Sequence, residues 1–274
     1  MRAQSEWAGA RGAFEWRRAP ALVRYAVIIG LLLVGWQLYV WGAHVSPLLV
    51  SSPVDVGRAL LADVLNRKIP DATAATLGNL IVGIAIGGLA GFGLASVAVF
   101  SAVGYDVLSV LIAVMNPLPS IAILPLAMIW FGITPKSIVL VVALATVWPV
   151  AINTDAGFRS ISPTTQMVAR NLGLSHLRMV VGVLLPAALP FILAGLKAAW
   201  AFGWRTVVAA ELVFGVAGST GGLGWYINNA RYYLLVPDIF AGLIVISILG
   251  IAVDLVFGVI EQRTVVRWGM KTAK

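Results

Sequence analysis

Long apolar stretches alternate with short polar segments along the chain, and six of the apolar stretches have about 20 residues or more. A helix of roughly 20 apolar residues spans the hydrocarbon core of a bilayer, so the pattern predicts six transmembrane helices. The predicted spans are 23–43, 73–100, 106–131, 136–157, 187–214 and 238–260. The expected fold class is therefore an all-α membrane protein whose two ends lie on the same side of the membrane.

The same pattern divides the chain into four segments. These are a tail over 1–22, the first span with an outer loop over 23–72, a transmembrane core over 73–260, and a second tail over 261–274. The outer loop carries Leu and Val at helical spacing among Pro, Ser and charged residues, which predicts either an amphipathic helix at the membrane surface or a plain loop. The core contains one segment that is polar to amphipathic instead of apolar, the loop 158–186.

Composition supports the membrane assignment. The chain is 60% hydrophobic and 11% charged, whereas a soluble domain has roughly 25% charged residues. A net charge of +8 would suggest nucleic acid for a soluble protein. In a membrane protein the position of the cations sets the orientation instead, so no nucleic-acid partner is expected. The absence of cysteine excludes disulfides, thiol catalysis and Cys-ligated metals.

The cations are distributed unequally between the two sides of the predicted topology. Twelve lie in the two tails, at Arg24 beside the first tail and in the loop 158–186, and five lie on the opposite side. Because basic residues accumulate on the cytoplasmic side, both termini are expected in the cytoplasm. No clear cleavage site follows the first apolar run before Trp36, so this run is expected to remain as a transmembrane helix.

The loop 158–186 contains signals for two short helices. Ser162 followed by Pro163 is typical of a helix start, and Gly173 is typical of a helix end in the left-handed conformation. A first helix is therefore predicted from about Pro163 to Leu172. Ser175 is expected to cap a second helix with one apolar side. That side consists of Leu177, Val180, Val181 and Leu184.

These residues also carry a resemblance to a known family. The pattern Ala169-x3-Gly173-x9-Val183-x-Leu185-Pro186 resembles the cytoplasmic coupling loop of bacterial ATP-binding cassette (ABC) importer permeases, EAA-x3-G-x9-I-x-LP. Met167 and Val168 replace the Glu and the first Ala. The resemblance implies the type I ABC-importer permease architecture, in which the first short helix is a coupling helix that docks into an ATPase subunit. It assigns ATPase coupling to Pro163, Met167, Val168, Ala169, Arg170, Leu172 and Gly173.

The third predicted span is the least regular, because Pro117, Pro119 and Pro125 each remove a backbone donor. Broken helices in a bilayer occur where they line protein or a water-filled cavity. The segment 116–132 also resembles the third-span region of nitrate, sulfonate and taurine permeases. We predict that the pathway is lined by Asn116, Ser120, Trp148, Asn153, Trp200, Trp204, Arg205 and Glu211.

Arg205 lies near the middle of the fifth predicted span, where a charged side chain is costly unless it faces a cavity or a partner. Two roles are open: an ion pair or interhelical contact within the protein, or attraction of an anion along the pathway. Beyond this span, Gly222-Leu223-Gly224 resembles the outer-loop GLG of the same family. The resemblance implies that Gly222, Leu223, Gly224 and Tyr226 contact a binding protein.

The resemblance covers about residues 70–268 and implies the membrane subunit of an ATP-driven importer in the bacterial inner membrane. The chain has no G-x-x-x-x-G-K-[ST] motif, so it holds no cofactor itself, and a separate ATPase is expected to bind ATP and Mg. The implied partners are two ATPase copies, a second permease copy, an extracytoplasmic binding protein and lipid. The expected cargo is a small anionic solute such as nitrate, a sulfonate, taurine or an aromatic acid.

Two other functions compete with this one. A secondary transporter or channel without ATP would need an acid inside the membrane, and Asp155, Glu211 and Asp254 are the candidates. An intramembrane metalloenzyme would need ligands close together, whereas His44 and His176 are far apart and on opposite predicted sides.

Overall fold

The computed structural model describes residues 20–44, 46, 48–214 and 221–266, and these residues form helices without strands. The helices are α1 (Ala21–Gly42), α2 (Pro53–Leu65), α3 (Lys68–Ala98), α4 (Ala102–Met115), α5 (Leu124–Phe131), α6 (Pro135–Arg159), α7 (Pro163–Asn171), α8 (His176–Ala187), α9 (Leu189–Phe214), α10 (Leu223–Tyr232) and α11 (Val236–Glu261). The middle of α8, Val180–Leu184, is π-helical. It lies directly before Pro186, which lacks the N–H that would bond to the carbonyl of Gly182.

Among the described residues, five helices are long and apolar enough to cross a membrane, namely α1, α3, α6, α9 and α11. A sixth apolar segment, Ala102–Met115 together with Ser120–Phe131, is bent by 85°. Pro117 and Pro119 lie at the bend and cannot donate hydrogen bonds to the preceding turn. The six predicted apolar segments are thus present, but 106–131 is a broken pair of helices rather than one continuous helix.

The centre of the fold is the packing of α3 and α9 against α6, most of which is buried. Gly83, Gly87 and Gly91 form a stripe along α3 that faces α6. A Cβ at Gly83 would lie 2.5 Å from Cγ1 of Val142, and a Cβ at Gly87 would overlap the Ala143 carbonyl oxygen. The small residues therefore allow the two backbones to approach closely, as the spacing of the glycines predicts.

The segment between the first two spans is helical, so the plain-loop alternative is wrong. Helix α2 begins at Ser52, whose hydroxyl accepts a hydrogen bond from the Asp55 amide (3.2 Å). Helix α3 then begins at Lys68, five residues before the predicted start of the second span. The first span, α1, lies at the periphery of the fold, and its Trp36 ring packs against Phe240 of α11 at 5.3 Å between centroids.

Candidate functional site

The loop 158–186, which we call the coupling segment after its predicted role, has the caps predicted at both ends of its first helix. The Ser162 hydroxyl accepts a hydrogen bond from the Thr165 amide (3.2 Å), which satisfies a free donor in the first turn of α7. At the other end, Gly173 has a φ of +73°. The Leu174 amide donates to the Ala169 carbonyl at 3.3 Å, the bond that defines a Schellman cap. The chain therefore turns sharply at Gly173 and leaves α7 as a separate short helix.

Of the α7 side chains that the structure describes, Ala169 is buried and the other apolar ones are exposed. Ala169 is buried against a cluster that includes Phe158 and Leu184. Met167, Val168 and Leu172 are exposed by 58%, 53% and 74%. Pro163 is exposed at the start of the helix, and the side chain of Arg170 lies outside the described part of the structure. This leaves an apolar surface facing away from the rest of the chain.

Helix α8 differs in part from its prediction. Ser175 occupies the N-cap position, but its side chain makes no capping hydrogen bond. Met179, Val180 and Leu184 are buried, whereas Leu177 and Val181 are exposed. The π-helical stretch interrupts the 3.6-residue repeat on which the predicted apolar side depended, so the buried set changes within the helix.

Four of the predicted pathway residues meet around one cavity. Asn116, Ser120, Trp148 and Arg205 line a cavity of about 410 Å³ between the α4–α5 break, α6 and α9, and we call it the Arg205 cavity. Arg205 itself is exposed, and within the described residues it has no ion-pair partner. The geometry is that of a broken helix lining a space, which is where lipid-embedded polar groups are tolerated.

The other predicted pathway residues lie elsewhere. Trp204 is 8% exposed in the main core, and Trp200 stacks on it with 6.1 Å between ring centroids. The Asn153 amide donates to the Pro149 carbonyl (2.8 Å), and its Cβ faces Gly195. Glu211 is 1% exposed. These four residues pack helices together in this structure instead of lining the Arg205 cavity.

Glu211 belongs to a buried cluster that holds the start of α10. Its Oε2 accepts hydrogen bonds from the Thr76 hydroxyl (2.8 Å) and from the Gly224 amide (3.1 Å). The Thr76 oxygen in turn accepts a hydrogen bond from the Leu223 amide (2.8 Å). The carboxylate lies directly against Gly222, where a Cβ would overlap it. We call this set the outer clasp, because it ties α10 to both α3 and α9.

Tyr226 anchors the same helix at a second point. Its hydroxyl donates to Oδ2 of Asp63 (2.7 Å), and Oδ1 of Asp63 pairs with Nζ of Lys68 (2.9 Å). Burial, together with the hydrogen bond to Asp63, raises the pKa of the Tyr226 hydroxyl, which therefore stays protonated as a donor. This chain of contacts joins α10 to α2 and α3.

These contacts differ from the predicted role of the GLG region. Gly222, Leu223, Gly224 and Tyr226 are all buried within the chain, so they offer no side-chain surface to a binding protein in this conformation. Sequence reasoning also missed Thr76 and Asp63 as their partners. The sequence gives only a weak signal for them: each is a polar residue on the buried, otherwise apolar side of its helix.

A second cavity, of about 720 Å³, separates the first half of α9 from the last half of α11. Its lining includes Lys197, Asp254 and Glu261 among apolar side chains, and we call it the Lys197 cavity.

The acid expected at the end of α6, Asp155, lies outside this cavity. Asp155 Oδ2 pairs with Nε of Arg159 (2.9 Å), whose guanidinium also lies 3.9 Å from the centre of the Tyr105 ring.

The chain is similar to transport permeases along most of its length. The family model described as the inner-membrane component of binding-protein-dependent transport systems matches residues 83–266. The taurine transport system permease protein of Escherichia coli (strain K12) is 32% identical over 240 residues, 86% of this chain and 86% of its own length. The nitrate import permease protein of Synechocystis sp. is 28% identical over 256 residues, 90% of each chain.

The matched region includes the glycine stripe of α3, the coupling segment, the Arg205 cavity and the outer clasp apart from Thr76. The family and these relatives are transport permeases and not enzymes. The chain belongs to the inner-membrane components of binding-protein-dependent transport systems, as a multi-pass permease subunit of an ABC importer of the nitrate, sulfonate and taurine type.

Proposed function

We propose that two copies of this chain form the pathway of an importer for small anions, with α7 of each copy docked on an ATPase subunit that binds ATP and Mg. A separate binding protein delivers the solute at the opposite side. ATP binding draws the two ATPases together and carries α7 with them, which changes the side to which the cavities open. The proposal includes a cytoplasmic location for both termini, supported by twelve cations on that side against five on the other.

The observation that carries the proposal is the apolar surface of α7. Met167 and Val168 expose apolar side chains on α7, and Leu172 does so directly after it; with nine residues, α7 is too short to cross a membrane. Exposed apolar patches of this kind mark contacts with another protein or with a membrane surface, and we assign this one to the ATPase. Because Gly173 ends the helix and Ala169 fixes it to the core, a movement of a docked partner is transmitted to α6 and α9.

Arg205 supports an anionic solute. Its guanidinium lines a cavity at the α4–α5 break and has no carboxylate partner in the described structure. At an effective dielectric constant of about 20, an anion about 4 Å from this charge is attracted by roughly 4 kcal/mol. The relatives named for taurine and nitrate transport carry solutes with a sulfonate or nitrate group, which fits the same charge.

Gly173→Val tests the coupling role. A β-branched residue at a φ of +73° costs on the order of 1 kcal/mol or more, so the variant is expected to displace the end of α7. In native mass spectrometry, the unchanged chain co-expressed with its ATPase is expected to purify as two copies of each subunit. The Gly173→Val complex is expected to lose ATPase subunits, and its solute-stimulated ATP hydrolysis and its uptake are expected to fall together.

The matched control is Gly93→Val on α3, where an added Cβ meets nothing within 4 Å. This variant is expected to keep the complex intact. Normal coupling in the Gly173 variant would contradict the docking role of α7. ATP hydrolysis by the purified chain without its partner would contradict the proposed division of labour.

Arg205→Gln tests the anion pathway. The variant is expected to assemble and to keep its basal ATP hydrolysis, because the guanidinium has no internal ion-pair partner whose charge would be left buried. Uptake of labelled nitrate or taurine into proteoliposomes is expected to fall several-fold. Arg58→Gln, at an exposed ion pair on α2, is the control. A complex that dissociates or melts much earlier in detergent would assign Arg205 a structural role instead.

A further inference from the structure

The Lys197 cavity contains charges of both signs at membrane depth. Lys197 lies eight residues after the start of α9, and Asp254 lies seven residues before the end of α11. At a rise of about 1.5 Å per residue, both are about 10–12 Å inside the helix ends that face the coupling segment. The two side chains therefore approach one cavity from opposite walls at a similar depth.

Neither charge is satisfied within the part of the chain that the structure describes. Lys197 and Asp254 take part in no ion pair or side-chain hydrogen bond there, and both side chains are exposed to the cavity. Ionisable groups inside a membrane are costly, and they are normally paired or used. A lysine and an aspartate that face the same space without closing on each other leave room for a ligand between them.

We infer that this cavity binds a small zwitterion, with an acid group such as a sulfonate, phosphonate or carboxylate on Lys197 and an ammonium group on Asp254. An anion on Lys197 would leave the Asp254 carboxylate without a partner, and a cation on Asp254 would leave the Lys197 ammonium without one. A zwitterion satisfies both signs at once. The apolar part of such a molecule fits the rest of the lining, which includes Phe191, Leu193 and Phe257.

The position of the cavity connects it with the pathway. Lys197 and Arg205 are eight residues apart on α9, about 12 Å along the axis and about 80° around it, so the two cavities lie on adjoining faces of one helix. The inference rests on the proposed function in placing the Lys197 cavity on the cytoplasmic part of the solute route. The binding of a zwitterion can be measured without any transport.

Two sources supply this chemistry: a free solute such as taurine, and a phospholipid with an ethanolamine headgroup, which carries a phosphate and an ammonium. The first measurement uses the full chain in nanodiscs of phosphatidylglycerol, a lipid whose headgroup carries no ammonium. Binding of taurine is compared by NMR saturation transfer with binding of ethanesulfonate, which has the same acid group without the amine. Taurine is expected to bind several-fold more tightly.

The variants assign each half of the ligand. Asp254→Asn is expected to make taurine and ethanesulfonate bind equally, because only the ammonium contact is lost. Lys197→Gln is expected to weaken the binding of both acids by about tenfold, the loss of one charge-assisted hydrogen bond. Asp106→Asn and Lys136→Gln remove the same charges at exposed positions of α4 and α6 and are expected to change neither affinity.

The second measurement identifies the source. The chain is purified from bilayers of phosphatidylethanolamine and phosphatidylglycerol, and the retained lipid is identified by native mass spectrometry. Taurine selectivity without retained phosphatidylethanolamine assigns the cavity to a free solute. Retained phosphatidylethanolamine that Asp254→Asn and Lys197→Gln release assigns it to lipid.

Equal binding of taurine and ethanesulfonate by the unchanged chain, with no variant-sensitive lipid, would overturn the inference. The proposed anion pathway would still stand in that case if Arg205→Gln lowers uptake as expected. Melting temperatures of the two variants serve as the folding control and are expected to match that of the unchanged chain, since neither side chain has an internal partner to lose.

Discussion

Gly87→Ala is expected to prevent stable folding, although it adds a single methyl group. The new Cβ would overlap both the Thr146 hydroxyl and the Ala143 carbonyl oxygen of α6, and the Ala143 carbonyl carbon would lie 3.1 Å away. A backbone carbonyl cannot rotate aside as a side chain can, so α3 and α6 must separate. Overpacking of a close core contact costs about 3 kcal/mol or more, and this helix pair is the centre of the fold.

Gly78→Ala on the same helix is the matched control, because a Cβ at Gly78 meets nothing within 4 Å. Alanine has a higher helix propensity than glycine by about 1 kcal/mol, so this variant is expected to be as stable as the unchanged chain or slightly more stable. Melting followed by size-exclusion chromatography in detergent separates the two outcomes. Equal melting temperatures for both variants would show that the α3–α6 contact is looser than the structure has it.

Features encoded within a short stretch of sequence could be predicted well. The spans follow from runs of apolar residues, and the stripe of Gly83, Gly87 and Gly91 follows from a four-residue spacing that places small residues on one side of a helix. The caps of α7 at Ser162 and Gly173 are equally local. Each of these depends on residues within about one or two helical turns, so it can be predicted without knowing the contacts of distant residues.

Features that depend on distant residues could not be predicted in this way. Nothing near Glu211 in the sequence indicates that its carboxylate meets Thr76, 135 positions away. The prolines of the third span predict an irregular helix, but they do not give its bend of 85°. Trp200 and Trp204 are adjacent on one side of α9, yet only packing within the main core, which residues of several helices form, decides that this side is in the core and not in the cavity.

The same distinction explains the GLG region. The family resemblance correctly locates a turn before α10, and glycine at 222 is needed because the Glu211 carboxylate occupies the place of its side chain. A turn at the outer side of a permease suggests contact with the binding protein. Burial of Leu223 and Tyr226 shows that these residues hold α10 in place instead, and surfaces formed by exposed neighbours such as Tyr232 and Tyr233 are available to a partner.

Glu211→Ala is expected to release α10 from the core and to lower the stability of the chain substantially. The change removes the acceptor of the Thr76 hydroxyl and of the Gly224 amide, both inside a buried site. Each buried polar group left without a partner costs about 1–3 kcal/mol, and the missing side chain also leaves a void against Gly222. Glu211→Gln keeps the shape and one acceptor oxygen and is therefore expected to cost less than alanine.

Hydrogen exchange of the α10 amides, measured on the full chain in nanodiscs, reports on the outer clasp directly. The amides of Leu223 and Gly224 are expected to lose protection in Glu211→Ala, while the amides of α6 keep theirs. Asp71→Ala is the control, because its ion pair with Arg67 is exposed and long (3.8 Å) and contributes at most about 1 kcal/mol. Thr76→Val is expected to reproduce the loss of protection at Leu223, since its hydroxyl oxygen is the acceptor of that amide. Protection that is unchanged in both Glu211→Ala and Thr76→Val would show that α10 is held by Tyr226 and Asp63 alone.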